Sequence, residues 1–239
     1  MMETYINFLE RINKFETKEL CFYENTFKPN KSLNDKFYVD KTFKNFYGDT
    51  VVFDLNVEQK NIISTIVECL YTETPNCFCQ KLNPDTFHMT LHDLSNNCVL
   101  DNISNDLFFN EIKLLHELRK AKIKNETIKM KTNYIFNMMN TSLVLALIPI
   151  NEEEHNKLFK LYNLVENVKS LSYPFTPHIT LAYFNPNGFS FSNMNKLLRI
   201  VNEINSKTID FEISTNKLFY QKFTDMNTYI NVFKLLQNE

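Results

Sequence analysis

Thr176-Pro177-His178-Ile179-Thr180-Leu181-Ala182-Tyr183 is an apolar, strand-forming stretch with two polar residues set into it at one parity. Alternate side chains of an extended chain fall on opposite faces, so His178 and Thr180 share one face while Pro177, Ile179 and Leu181 share the other. An apolar face of this kind is buried, which leaves the histidine and threonine presented together on the open side. Ninety residues earlier the arrangement recurs in Phe87-His88-Met89-Thr90-Leu91. A single His-x-Thr arises often by chance. Two copies, each inside an apolar strand, imply two similar halves whose motif strands lie side by side and bring two imidazoles and two hydroxyls to one cleft.

Working outward from the motifs, β-branched and apolar residues over 50–55 predict a strand. The spacing of Ile62, Ile63, Ile66 and Leu70 predicts a helix over 57–70. A strand at 87–91 precedes an amphipathic helix over 105–122, with Phe108, Ile112, Leu115 and Leu118 inward, and a β-rich stretch over 134–149 turning near Asn140. The second half repeats the theme: a helix at 152–168, a strand at 178–184, a helix at 192–205, and strands at 208–214, 217–223 and 228–235. A short helix is expected at 3–14. Pro29 and Asn30-Lys31-Ser32 mark loop within 21–46. The domain reading is an N-terminal extension, 1–46, followed by a two-lobed domain, 47–239.

Composition closes off several functional classes. With 239 residues and 44% hydrophobic content the chain is globular in type and large enough for a real core. Its two glycines, Gly48 and Gly188, cannot build a phosphate loop or a dinucleotide fingerprint, both of which need several closely spaced glycines. A net charge of −2 argues against a protein that lives on nucleic-acid backbones. The densest basic segment, Lys113, Arg119, Lys120, Lys122, Lys124, Lys129 and Lys131, is the best phosphate-backbone track available, although it reads first as a solvated helix face. The apolar run from Leu143 to Ile150 falls far short of the roughly 20 residues that span a bilayer, so no membrane segment is expected. The opening residues carry charges where a signal peptide needs an apolar run, and the five cysteines are an odd, sparse set. A cytoplasmic location follows as the expectation. Cys77-Phe78-Cys79 has no second pair at zinc-site spacing, so no metal site is expected and the thiols read as reduced and incidental.

Two histidines and two threonines around one cleft are the parts that phosphodiester cleavage needs. One histidine removes a proton from the attacking oxygen and the other supplies one to the leaving oxygen, both near neutral pH. Threonine hydroxyls donate to the non-bridging phosphoryl oxygens. No metal or other cofactor is required by this set.

The same residues resemble the two-histidine (2H) phosphoesterase superfamily, which includes 2′-5′ RNA ligase-like enzymes and cyclic phosphodiesterases. Members carry two His-x-Thr/Ser motifs in apolar strands, often with a proline just before the second histidine, as Pro177 stands before His178. Tyr229-Ile230-Asn231-Val232-Phe233-Lys234-Leu235 is similar to the family's last strand, which commonly begins with a tyrosine. The resemblance covers roughly 50–236. It implies an α+β, bilobed, pseudo-twofold fold with two small antiparallel sheets flanked by helices around a central cleft. It also implies His88 and His178 as catalytic residues with Thr90 and Thr180 binding the substrate phosphate. His92 and Phe184 share the parity, and so the face, of their motif histidines, and together with Tyr229 they are candidate substrate contacts.

The expected activity is metal-independent hydrolysis of a cyclic ribonucleotide phosphodiester, a 2′,3′-cyclic phosphate or a related small cyclic nucleotide, by a monomer. A second reading gives the same residues RNA or a 2′-5′ oligonucleotide as substrate, in a phosphodiesterase or ligase-like enzyme. A third, of another class, is a nucleotide-binding module without turnover. Which histidine is acid and which is base is not fixed by the sequence.

Overall fold

The computed structural model describes residues 3–15 and 26–236. In chain order the elements are α1 (Tyr5–Asn13), β1 (Thr26–Phe27), α2 (Leu33–Lys36), β2 (Tyr47–Asp54), α3 (Val57–Glu73), β3 (His88–Asn97) and α4 (Ser104–Lys120). There follow β4 (Thr127–Met138), β5 (Ser142–Pro149), α5 (Glu152–Glu166), β6 (His178–Tyr183), β7 (Phe189–Ser190), α6 (Phe191–Asn205), β8 (Asp210–Ser214), β9 (Leu218–Asp225) and β10 (Thr228–Lys234). The long helices start where side chains accept the free N–H groups of the first turn. Asn56 and Gln59 form a reciprocal capping box on α3, Asn151 caps α5 and Ser190 caps α6. The turn near Asn140 joins β4 to β5 through Met139, Asn140 and Thr141; Met139 and Asn140 take positive φ and the Thr141 N–H donates to the Met138 carbonyl at 2.9 Å.

Eight strands form one curled antiparallel sheet in the order β10-β9-β2-β3-β6-β5-β4-β8, and β1 pairs with β7 apart from it. The two small sheets expected from the sequence are the four-stranded halves of this sheet. They meet at β3 and β6, which pair antiparallel through Met89 and Ile179. The two motif strands are therefore central neighbours. Strand β5 is buried along its whole length, and its Val144 and Ala146 form a small cluster with Phe136 of β4 against which Phe15 and Met138 pack.

One helix sits in a different phase from the expected one. In α4 the residues turned inward are Leu107, Asn110, Leu114 and Leu118, whereas Phe108 and Ile112 are 60% and 48% exposed. The apolar residues of this helix spread over more than one stripe, so spacing alone does not choose the buried face. Asn110 decides it, donating to Asp49 at 3.1 Å and to Ser95 Oγ at 2.9 Å in a buried polar cluster that Tyr220 joins at 2.9 Å. A buried amide and carboxylate left unpaired would cost more than two exposed apolar side chains.

Residues of the segment read as an extension contribute to the same core as the rest. Phe8 packs on His155 and Phe159 of α5. Phe27 stacks on Phe189 at 4.5 Å, and Leu33 and Phe37 of and beside α2 are fully buried. Gly48, entering β2, is a close-approach position: a Cβ there would lie 2.3 Å from the Phe223 ring and 2.4 Å from the Ser95 carbonyl oxygen.

Candidate active site

The antiparallel register through Met89 and Ile179 sets His88 across from Thr180 and Thr90 across from His178. Met89, Leu91, Ile179 and Leu181 are buried on the core face, and the four polar side chains are half-buried on the other. The two halves hold their histidines in the same way. His88 Nδ1 lies 2.7 Å from the Thr86 carbonyl oxygen and His178 Nδ1 lies 2.7 Å from the Thr176 carbonyl oxygen. A carbonyl only accepts, so each Nδ1 carries the proton and donates it, leaving each Nε2 with a lone pair toward the cleft. Among the described residues no protein group hydrogen-bonds either Nε2, nor the hydroxyl of Thr90 or Thr180.

Burial lowers the pKa of both imidazoles from their ordinary value. The Thr86 and Thr176 carbonyls and the Asp93 carboxylate pull the other way, and His178 adds to the lowering at His88. Both rings are neutral in the free protein at neutral pH. The Tyr229 ring meets His88 edge-on at 5.0 Å. Burial holds the Tyr229 phenol well above its ordinary pKa, so it stays a protonated donor.

Beyond the threonines both strands depart from regular alternation, and at the same place. In β3 the partners of Val51 and Val52 are His92 and Thr90; in β6 the partners of Leu143 and Val144 are Ala182 and Thr180. Leu91 and Leu181 are therefore the extra residues of two matching β-bulges. Each bulge reverses the parity that follows. His92 is consequently 1% exposed on the core side, with Nε2 at 2.8 Å from Glu166 Oε2 and its ring against Tyr162, and it is not a substrate contact. Phe184 is likewise turned inward and fully buried among Phe27, Phe78 and Phe189, so it offers no face to a base. The cleft face past the motifs belongs instead to Asp93 and Tyr183. Neither is legible as such without the bulges, for which the leucines give no signal.

A third addition is Lys36, carried by α2. Its ammonium lies over the rings of Phe46 and Tyr183, at 4.9 Å and 5.6 Å from their centroids. The basic segment 113–131 sits on α4, β4 and the link between them, not on the motif strands. Cys77 and Cys79 are buried and unpaired, and burial pushes both thiols up to about 12. Cys21 lies outside the described residues. Among the described residues no cluster of His, Cys, Asp or Glu could hold a metal ion, and no helix is long and apolar enough to cross a membrane.

No protein-family model and no curated protein matches the chain. Among solved structures, a conserved protein of unknown function from Agrobacterium tumefaciens str. C58 matches with a TM-score of 0.67 at 13% identity, covering 93% of this chain and 98% of that one. The two share their fold. A structure described as a phosphoesterase matches with a TM-score of 0.46 at 14% identity over 78% of this chain and 95% of that one. E. coli LigT complexed with 3′-AMP matches with a TM-score of 0.45 at 15% identity over 79% and 96%.

Proposed function

We propose that the protein is a metal-independent phosphoesterase of the two-histidine type that acts in the cytosol, as a monomer, on a cyclic ribonucleotide phosphodiester such as a 2′,3′-cyclic phosphate. The observation that carries the reading is the paired set His88/Thr180 and Thr90/His178. In it two imidazoles, each fixed through Nδ1, and two hydroxyls that have no hydrogen-bond partner among the described residues share one face of two neighbouring strands.

The reaction follows from the parts. A water oxygen attacks phosphorus while one Nε2 takes its proton. The bond from phosphorus to a ribose oxygen breaks, and the Nε2–H of the other ring protonates that oxygen. One water is consumed and a diester becomes a monoester. The acid must begin protonated although burial disfavours its charge. The substrate's own negative charge supplies the missing stabilisation, since an anion in a poorly solvated cleft raises the pKa of an adjacent imidazole. Thr90 and Thr180 donate to the non-bridging oxygens as charge gathers there.

The test is turnover of 2′,3′-cyclic and 3′,5′-cyclic nucleotides, 2′-5′ dinucleotides and a short RNA in excess EDTA by wild type, His88→Ala and His178→Ala. EDTA-resistant opening of a cyclic nucleotide, lost in both variants, is the expected result. Turnover that survives both substitutions would falsify the mechanism. Processing of the RNA alone would transfer the same residues to an oligonucleotide substrate, and nucleotide binding without turnover would make the protein a binding module.

A further inference from the structure

Lys36 is a partly buried cation that makes no ion pair among the described residues, the Asp93 and Asp35 charges acting on it from beyond ion-pair distance. Lys60, Lys81, Lys120, Lys157 and Lys222 all reach carboxylates within 2.9 Å. Lys36 reaches none: among the described residues no carboxylate is at ion-pair distance and no oxygen is at hydrogen-bond distance of its Nζ. It is only half-exposed, and its neighbours are the π faces of Phe46 and Tyr183. Such faces attract an ammonium but accept none of its three hydrogen bonds in the way an oxygen does.

Its backbone is anchored on both sides. Leu33 and Phe37, on either side of it in the chain, are fully buried, and the Phe37 ring packs on Tyr183 at 5.1 Å. The Lys44 N–H donates to the Lys36 carbonyl at 2.8 Å. Tyr183 is the residue that the β6 bulge returns to the face of His178 and Thr180, about 7–10 Å along the strand from Thr180. From Phe46 a chain of ring contacts runs through Phe223 at 6.2 Å and Tyr229 at 5.5 Å back to His88. The ammonium thus lies against Tyr183, which shares the sheet face of His178 and Thr180 and is set along the strand from them. Burial lowers the Lys36 pKa, opposed by Asp93 and Asp35, so a further anion beside it would restore what desolvation removes.

We propose that Lys36 binds a second, non-scissile phosphate of the nucleotide, one nucleoside away from the group held by the histidines and threonines. The proposal rests on the cleft being the nucleotide site described above. The ligand chemistry is a phosphate anion, either a terminal 5′-phosphate or the next backbone diester of an oligonucleotide. The reaction assigned to the four motif residues makes no use of Lys36, so its contribution is to substrate choice.

Calorimetric titration of the full chain with adenosine 3′-monophosphate, adenosine 3′,5′-bisphosphate and a dinucleotide 3′-phosphate tests it, using wild type, Lys36→Met and Lys36→Arg. Methionine keeps the apolar stem against the rings and removes the charge. Wild type should bind the bisphosphate about tenfold more tightly than the monophosphate, as a charge-assisted contact would give. Lys36→Met should lose that margin with unchanged monophosphate affinity, and Lys36→Arg should keep most of it. A margin for the bisphosphate alone assigns a terminal phosphate, and one for the dinucleotide as well assigns a backbone phosphate. A margin undiminished in Lys36→Met, or an equal weakening of every ligand, overturns the role of Lys36 while the nucleotide site stands. Failure of all three nucleotides to bind wild type overturns both, and is distinguished by that pattern.

Discussion

The two motif strands are alike where the proposed chemistry is and unlike just beyond it. β3 and β6 each place a histidine, a threonine and then a bulged leucine at the same offsets, and each histidine is anchored to the carbonyl two residues before it. Past the bulge the inward position is His92 in one and Ala182 in the other, and the cleft position is Asp93 in one and Tyr183 in the other. Among the described residues only the first half adds a ring against its histidine, from Tyr229. What is duplicated is the machinery a phosphoryl group would require from both sides. What is not duplicated is the surround, and a nucleotide has different groups on the two sides of its phosphate.

Substitution of the histidines presses hardest on this symmetry. His88→Ala and His178→Ala are each expected to lower kcat/KM by about 10²–10⁴-fold, and the double variant by little more than the worse single one, because an acid without a base completes no turnover. Strongly unequal single losses would show that only one strand carries proton transfer. Removing the hydroxyls asks the same question more gently. Thr90→Val and Thr180→Val keep shape and β propensity, and each is expected to cost about 10–10²-fold, the worth of one hydrogen bond to a charged acceptor. Steady-state kinetics on one cyclic nucleotide reads all five variants.

How much of this was legible in the sequence depends on which residues carry it. The period-2 pattern around Ile179 and Met89 established both motif strands, their buried face and their common cleft, because strand parity is local and each apolar partner is adjacent in the chain. His92 and Phe184 were misplaced for one shared reason. A bulge shifts parity by a single residue, and Leu91 and Leu181 are ordinary strand residues that give no warning of it. Lys36 escaped because its relation to Tyr183 joins residues far apart in the chain and is made by the burial of Leu33 and Phe37, which a polar stretch around Pro29 conceals. The phase of α4 was lost to long-range polar bonds of Asn110 in the same way.

The inward position past the bulge gives an asymmetry that stability can read. His92 ties β3 to α5 through Glu166, and β6 has only Ala182 at that place. Burial alone would raise the Glu166 carboxyl, but hydrogen bonds from Ser170, His92, Tyr162 and the Leu171 N–H outweigh it and bring the group down to about 2. A folded-state pKa below the unfolded value gives stability that is present above about 4.5 and lost as pH falls toward about 2. Glu166→Gln should therefore destabilise the protein by about 1–3 kcal/mol at pH 7 and flatten its acid unfolding curve. Denaturant melts from pH 7 to pH 3 measure both. A variant as acid-sensitive as wild type would remove Glu166 from the account.

The cleft position past the bulge predicts the smallest effect and the most specific one. In the free protein both imidazoles lie below 6.5, their ordinary value, because burial disfavours their charged form. The rate constant kcat/KM rises with pH as the base loses its proton and falls as the acid does, so its maximum lies on the acid side of 6.5. Asp93 favours the protonated form of both rings. Asp93→Asn removes that negative charge, each imidazolium becomes less stable, and both limbs of the profile should move to lower pH together with little change in the height of the maximum. Tyr183→Phe, the matching substitution in the other half, removes a hydroxyl whose ionisation burial already pushes out of range, so it should leave both limbs where they are. Movement of one limb alone in Asp93→Asn would mean that Asp93 acts on a single histidine. That would then be the experiment that distinguishes acid from base in a site whose geometry makes the two halves equal.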